Sequence, residues 1–107
     1  MRIVEAVYYV TGMFPSREMY GLTSQVRRAA VSIPANIAEG HCLEHLKEHL
    51  NFLSIGQGSI AELETELEIA GRLKYIAPEA LKSLLSDLSA LARQIRALRA
   101  ALARSKR

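Results

Sequence analysis

Apolar residues recur at helical spacing along most of the chain, in segments separated by Pro, Gly and polar residues. This pattern predicts four helices, at about 2–13, 22–38, 44–74 and 79–103. The first segment is also rich in Val and Tyr, which favour strands. The spacing of its apolar residues nevertheless favours a helix with one buried stripe: Ile3, Val7, Val10 and Phe14.

Three residues are expected to mark the boundaries of these helices. Pro15 should end the first helix, Gly40 should end the second, and Pro78 should be the first residue of the fourth. Pro34 lies within the second helix and predicts a kink there. The fourth segment carries a seam whose steps alternate three and four: Leu81, Leu84, Leu88, Leu91, Ile95, Leu98 and Leu102. We therefore predict an all-α protein, a single antiparallel up-and-down four-helix bundle over residues 1–107.

The third helix has more apolar surface than one bundle core needs. Besides its main stripe, a second stripe is formed by Phe52, Ile55 and Ile69. Gly56 and Gly58 lie in mid-helix, where each Gly costs about 1 kcal/mol relative to Ala. These features predict a homo-oligomer in which a neighbouring helix approaches closely.

Composition restricts the class of protein. There is no Trp, and a single Cys allows no internal disulfide bond. No apolar run reaches the length of a membrane span, and the start lacks a signal-peptide cleavage site. We expect a cytoplasmic protein without a membrane partner.

The net charge is +3, and the charged residues are distributed unevenly along the chain. Residues 41–74 carry three basic and six acidic side chains, whereas residues 75–107 carry seven basic and two acidic ones. No acidic residue follows Asp87, while six basic ones do: Arg93, Arg96, Arg99, Arg104, Lys106 and Arg107. This end is predicted to bind nucleic-acid phosphates, and the alternative is a solvated face that complements the helix dipole.

A row of polar residues follows one face of the second helix: Gln25, Arg28, Ser32, Asn36 and Glu39. Together with Glu62 of the third helix, they are expected to form a structural hydrogen-bonded network that fixes helix register. Contact with a ligand or nucleic acid is the alternative. Catalysis is disfavoured because no nucleophile, base and orienting group occur together.

The segment "HCLEHLKEH" contains His41, Cys42, His45 and His49, with histidines four residues apart. Such spacing can bind zinc, but a site needs further fixed ligands. We expect a solvated helix face, with no metal and no cofactor.

Two long motifs, "GLTSQVRRAAVSIPANIAEG" and "NFLSIGQGSIAELETELEIA", resemble the four-helix bundle proteins encoded in intervening sequences of bacterial large-subunit ribosomal RNA genes. The accessory variability proteins of diversity-generating retroelements look like the same family. The resemblance implies a ring-shaped homopentamer without catalytic activity. In the retroelement branch it also implies binding of nucleic acid and a reverse transcriptase through a basic surface. Relative to the family pattern, the first helix begins late and the net charge is low.

The family's polar motif falls here on residues of the second and third helices: Gln25, Arg28, Ser32, Asn36, Glu39, Gly40, Gly58, Ser59 and Glu62. The sequence therefore favours a non-enzymatic oligomeric bundle that binds nucleic acid, with structured RNA as the expected ligand. The alternative is a structural or protein-interaction scaffold, such as an accessory protein that recruits a reverse transcriptase.

Overall fold

The computed structural model describes residues 1–105, and Lys106 and Arg107 lie outside the described residues. Its four helices are α1 (Arg2–Thr11), α2 (Leu22–His41), α3 (Leu46–Arg72) and α4 (Pro78–Ser105). A short 3-10 helix at Ser16–Glu18 lies between α1 and α2. The described part contains no strand, which confirms the prediction of an all-helical protein with four helices. None of these helices has the length and apolarity that crossing a membrane requires.

The helices α2 and α3 run antiparallel. The hydroxyl oxygens of Ser32 and Ser59 are 2.8 Å apart, and further along α2, Gly40 lies against His49. Moving towards the end of α2, its residues therefore meet positions ever closer to the start of α3. This helix pair makes the most extensive interhelical contact in the described structure.

The remaining neighbours are antiparallel as well. Arg99 of α4 bonds to Gln57 of α3, and Leu81 near the start of α4 lies against Gly71 near the end of α3. α1 packs against both α2 and α4. The chain therefore passes up and down through four neighbouring helices.

The core is built from the apolar stripes of all four helices. The stripe of α1 is buried throughout, at Ile3, Val7, Val10 and Phe14. Burial of such a side chain stabilises the fold by about 1.5–3 kcal/mol. The innermost aliphatic side chains come from every helix: Val7, Val26, Ile33, Leu53, Ile60, Leu63, Leu67 and Leu88.

The length of α1 limits how far the four-helix core extends. α1 has 10 residues, whereas α3 has 27 and α4 has 28. With a rise of about 1.5 Å per residue, α1 covers half the length of its 20-residue neighbour α2 and little more than a third of its neighbour α4. Leu98, a member of the leucine seam, is consequently 41% exposed and borders an apolar cavity of about 310 Å³ with Pro34 and Ile37.

One feature of α2 differs from expectation. The helix contains Pro34, as predicted, but continues through Gly40 to His41, so Gly40 is not its stop. Gly40 is buried against the start of α3. A side chain at this position would meet Phe52 and His49, since its Cβ would lie 3.0 Å from the Cβ of Phe52. The close packing of the α3 start against α2 is thus what requires a glycine at this position.

The turns also explain where the helices end. Amides of Met13 and Phe14 bond to Val10 and Thr11 in tight turns, and Pro15 prevents continuation of α1. α3 ends at Arg72, and Lys74 then adopts a left-handed backbone with φ 64°. This reversal lets the Tyr75 amide bond to the carbonyl of Ala70 at 2.9 Å before α4 begins.

Candidate functional site

A polar cluster joins α2 and α3 across their contact. The Ser32 and Ser59 hydroxyl groups bond to each other, and Asn36 Nδ2 donates to Ser32 Oγ at 2.9 Å. Asn36 also donates to the Ser32 carbonyl at 2.7 Å, and Ser59 donates to the carbonyl of Ile55 at 3.2 Å. The cluster links Ser32 and Asn36 of the predicted row. Because Pro34 has no amide hydrogen, the carbonyl of Ala30 lacks its usual donor within the helix. Asn36 does not bond to that carbonyl.

The other members of the predicted polar row lie outside this cluster. Gln25, Arg28, Glu39 and Glu62 are all exposed in the single chain. The row therefore divides into a half-buried hydrogen-bonded part and an exposed charged part. The sequence could not separate them, since both parts follow the same helical period.

One buried carboxyl group, Glu66, lies beside the exposed charges. Its Oε1 atom is buried and has no hydrogen-bond partner among residues 1–105. The pKa of Glu66 is raised to about 6, mainly by burial and also by the charge of Glu62 and a hydrogen bond with Glu62, while the charge of Arg28 opposes the increase. Arg28 thus acts on Glu66, a residue that the predicted network did not include.

Three aliphatic side chains of α2 and α3 are exposed to solvent. Val31 is 43% exposed, and Ile55 and Ile69 are each 44% exposed. On α3, the helical angle of about 100° per residue places Ile55, Gly58, Glu62 and Ile69 on one strip. We call this surface the α2–α3 face: Val31, Ile55, Gly58, Glu62 and Ile69. Phe52, expected in the same stripe, is instead half-buried against Gly40.

The basic residues of α4 divide into two groups. Arg93, Arg96 and Arg104 are exposed, and the helical angle places them within an arc of about 80°, opposite the core residues of α4. Arg93 Nη1 donates to Ser89 Oγ on its own helix at 2.9 Å. Arg99 points towards α3 instead, where Nη1 donates to Gln57 Oε1 at 2.5 Å and Nε is buried.

The surface around the exposed arginines is uniform in charge. We call it the α4 outer face, and it consists of basic and small residues: Lys82, Ser86, Ser89, Arg93, Arg96, Ala97, Ala100, Ala103 and Arg104. All of them are exposed, and Asp87 is half-buried on the flank. The predicted tail residues Lys106 and Arg107 lie outside the described part of the chain.

The sequence did not indicate a third feature, a cavity of about 560 Å³ beside the start of α2. Arg27 lies over the ring of Tyr8, with 4.6 Å from the guanidinium carbon to the ring centre. Arg27 Nε also donates to Thr11 Oγ1 at 2.8 Å. One signal was available: Tyr8 and Tyr9 lie off the buried stripe of α1, which indicated exposed rings.

The histidines are arranged differently from a solvated row. His49 is buried at 4% exposure, and its ring meets that of His41 edge to face at 6.3 Å between centres. His45 precedes α3 at its N-cap position. Among residues 1–105, no group of three or more His, Cys, Asp or Glu side chains could hold a metal ion.

Fold and surfaces together describe a small four-helix bundle with exposed apolar and basic faces. The family model described as 23S rRNA-intervening sequence protein matches residues 1–97, and the chain belongs to this family. This confirms the first part of the resemblance, whereas the relation to retroelement accessory proteins stays a prediction. The family description names a gene location and no reaction.

A solved structure has the same fold. It is a protein with unknown function from the S23 ribosomal protein family of Bacteroides thetaiotaomicron, with a TM-score of 0.79 and 24% sequence identity. The match covers 92% of this chain and 88% of that one. No curated protein is significantly similar to the chain.

Proposed function

We propose that the protein is a non-enzymatic, oligomeric four-helix bundle that binds structured RNA through the α4 outer face. One observation carries this proposal: Arg93, Arg96 and Arg104 are exposed on one side of a rigid helix, with no exposed acidic residue beside them from Lys82 to Ser105. Guanidinium groups bind phosphate oxygens bidentately, and binding releases counterions from the nucleic acid.

The shape of the α4 outer face favours contact with a nucleic-acid backbone. Arg93 and Arg104 are separated by about 16 Å along the helix axis. Apart from Arg96, the outer-face residues between them are all alanines, Ala97, Ala100 and Ala103, so a phosphate chain can approach closely. No aromatic ring lies on this face, which favours recognition of a folded backbone, such as the wide minor groove of A-form RNA, over base stacking.

Self-association through the α2–α3 face is the second part of the proposal. Three aliphatic side chains are exposed there around a half-buried polar cluster. Gly58 leaves open space at its centre, since a Cβ at this position would meet nothing within 4 Å. A second copy would fill that space and bury the aliphatic side chains. A ring of five copies is the arrangement that the family resemblance implies, and it would repeat the α4 outer face five times.

Binding to RNA is tested by titrating a hairpin RNA and a mixed-sequence duplex DNA at two salt concentrations. Three phosphate contacts per chain on the duplex predict a slope near −2.7 for log affinity against log salt, at about −0.9 per contact. The variant with Arg93, Arg96 and Arg104 all changed to Gln should bind both probes weakly, with a shallower slope. Arg99 is left unchanged because it bonds to Gln57.

The matched control changes three exposed basic residues elsewhere, Arg2, Lys47 and Arg72, to Gln, and therefore has the same net charge. Its affinity should fall much less than that of the α4 variant. Equal losses in the two variants would show that only net charge matters, and unchanged binding by the α4 variant would contradict the proposed site.

Self-association is tested by light scattering. The wild type should have a mass several times the 11.9 kDa of one chain, with five copies as the expected number. Ile55→Asp should dissociate the assembly while helix content persists, because Ile55 is 44% exposed in the single chain. A monomeric wild type would contradict the oligomer.

A protein-recruiting scaffold is the second candidate, and the same exposed aliphatic side chains favour it. Val31, Ile55 and Ile69 could bind a different protein, such as a reverse transcriptase, instead of a second copy. A monomer that binds neither nucleic-acid probe at low salt would favour this candidate over the first.

A further inference from the structure

The cavity beside the start of α2 adjoins the α2–α3 face, with which it shares Val31, and has no lining residue on the α4 outer face. It has a volume of about 560 Å³, is open to solvent and is bordered by α1, the segment before α2 and the first half of α2. Two arginines, two tyrosines and three hydroxyl-bearing residues are among its nine lining residues, and none of the nine is acidic. Such a combination of cations, hydroxyl groups and aromatic rings suits a ligand with both a phosphate and a flat ring.

Arg27 is held in place on one side of the cavity. Its Nε donates to Thr11 Oγ1, and Thr11 in turn donates to the carbonyl of Val7 at 2.8 Å. The guanidinium group also lies over the Tyr8 ring. A positioned guanidinium loses little conformational entropy on binding, and its terminal nitrogens remain for an anion.

The first turn of α2 borders the same cavity. Thr23 lines the cavity and is only 2% exposed, yet its Oγ1 has no hydrogen-bond partner among the described residues. A buried hydroxyl group without a partner is costly to the fold. The amides of Thr23 and Ser24 belong to the helical turn whose N–H groups have no acceptor within the helix, and such a turn favours phosphate.

The acidic residue nearest in sequence is already engaged. Glu18 Oε1 accepts a bond from the Leu22 amide at 3.3 Å, and Oε2 accepts one from the Tyr75 hydroxyl at 2.9 Å. Glu18 is not a lining residue of the cavity. Its carboxylate thus satisfies the first amide of α2 and leaves the cavity itself to Arg27 and Arg28.

Tyr20 borders the cavity with its side chain 98% exposed. An aromatic ring so far out of the core contributes little to folding. A nucleobase, by contrast, can stack on it. Tyr8 is less available for stacking because Arg27 already covers one side of its ring.

We propose that this cavity binds one nucleotide of a single-stranded nucleic acid. The phosphate lies between Arg27, Arg28 and the first turn of α2, and the base stacks on Tyr20. This site differs from the α4 outer face, which contacts a folded backbone without stacking. The two sites together would let the protein hold a structured RNA and an adjoining unpaired nucleotide.

The experiment measures binding of a short oligouridylate and of the matching deoxy-oligonucleotide by fluorescence anisotropy. Tyr20→Ala should weaken binding at least about fivefold, since base stacking on an aromatic side chain is typically worth that much or more. Tyr20→Phe keeps the ring and should bind like the wild type. Equal affinity for the two oligonucleotides would show that the site does not read the ribose 2′-hydroxyl, whereas weaker deoxy binding would identify RNA as the ligand.

Tyr9→Ala is the matched control, because Tyr9 is 74% exposed on α1 and does not line the cavity. It should leave binding unchanged. An equal loss in Tyr9→Ala and Tyr20→Ala, or no loss in Tyr20→Ala, would overturn the assignment of the base to Tyr20.

Arg27→Gln tests the phosphate. It should weaken oligouridylate binding and flatten its salt dependence by about one phosphate contact, which is about 0.7 in slope for a single strand. Its melting temperature and mass are measured alongside, since Arg27 also bonds to Thr11. Dissociation of an oligomer by this variant would show that the cavity belongs to a subunit interface and would overturn the nucleotide site.

The experiments test the two proposed binding sites independently of each other. Loss of hairpin RNA binding in the α4 variant with retained oligouridylate binding supports both assignments. If the wild type binds the oligouridylate but no hairpin, the proposed RNA function fails and the nucleotide site stands. If it binds the hairpin but no oligouridylate at low salt, the nucleotide site is wrong.

Discussion

Ser32 on α2 and Ser59 on α3 place their hydroxyl oxygens 2.8 Å apart, although 26 residues separate them in the chain. Asn36 completes the cluster by donating to Ser32 Oγ. Small polar side chains at this contact allow two helices to approach closely while their hydroxyl groups remain hydrogen-bonded. The cluster fixes the register of the largest helix pair, and its exposed edge belongs to the surface that we propose for self-association.

Asn36→Ala should therefore lower the free energy of unfolding by about 1–2 kcal/mol, because it removes both bonds to Ser32. Urea denaturation followed by circular dichroism measures the change. Asn51→Ala provides the control, since Asn51 is exposed on α3. The structural role of the cluster is wrong if the two variants unfold at the same urea concentration.

Gly40→Ala and Gly58→Ala should change stability in opposite directions. At Gly40 a Cβ would lie 3.0 Å from Phe52 Cβ and 3.1 Å from His49 Cδ2, so overpacking should destabilise the fold by about 1–3 kcal/mol. At Gly58 the space is open, so Ala should stabilise an isolated chain by about 1 kcal/mol through helix propensity.

Thermal unfolding of the two glycine variants, with light scattering for mass, tests both expectations. If a second copy packs on the α2–α3 face, Gly58→Ala should weaken the assembly even though it favours the helix. A stabilised Gly58→Ala variant of unchanged mass would argue against close packing of a neighbour at this position.

Glu66→Gln should stabilise the protein at neutral pH and have little effect in acid. Burial raises the pKa of Glu66 from 4.5 to about 6, so the folded state binds the proton more tightly than the unfolded state does. Stability linked to this group is present below pH 4.5, falls as pH rises from 4.5 to about 6, and is lost above that.

At neutral pH the free energy of unfolding is lowered by up to about 2 kcal/mol, at 1.36 kcal/mol per pKa unit. Gln at position 66 avoids this loss of stability because it carries no charge. Urea denaturation of wild type and variant at pH values on either side of this range measures the difference. Glu68→Gln is the control, as Glu68 is exposed on the same helix. A gain independent of pH would show that the Glu66 carboxylate is not its source.

Arg93→Gln and Arg99→Gln should separate binding from stability. Arg99 bonds across to Gln57 and is half-buried, so its loss should lower the free energy of unfolding by about 1 kcal/mol. Arg93 bonds only to Ser89 on its own exposed face, so its loss should weaken RNA binding and leave unfolding nearly unchanged. Hairpin RNA titration and urea denaturation of both variants decide this, and similar behaviour of the two would contradict the division of the basic residues.

Helical periodicity was sufficient to predict the four helices and most of the core. The stripe Ile3, Val7 and Val10 is buried because side chains on one side of a helix stay together wherever the helix packs. The family resemblance rested on two contiguous motifs, which a sequence displays directly. The exposed pair Ile55 and Ile69 was likewise visible as a second apolar stripe.

Tertiary packing decided everything that depends on which helix lies next to which. Arg93 and Arg99 look equivalent in sequence, but a difference of about 120° around α4 exposes one and turns the other towards Gln57. The approach of α3 made Gly40 a close contact instead of a helix stop. The cavity at Tyr20 and Arg27 depends on α1 packing beside α2. Periodicity describes one helix at a time, whereas burial and contact are properties of pairs of helices, and only their packed arrangement determines them.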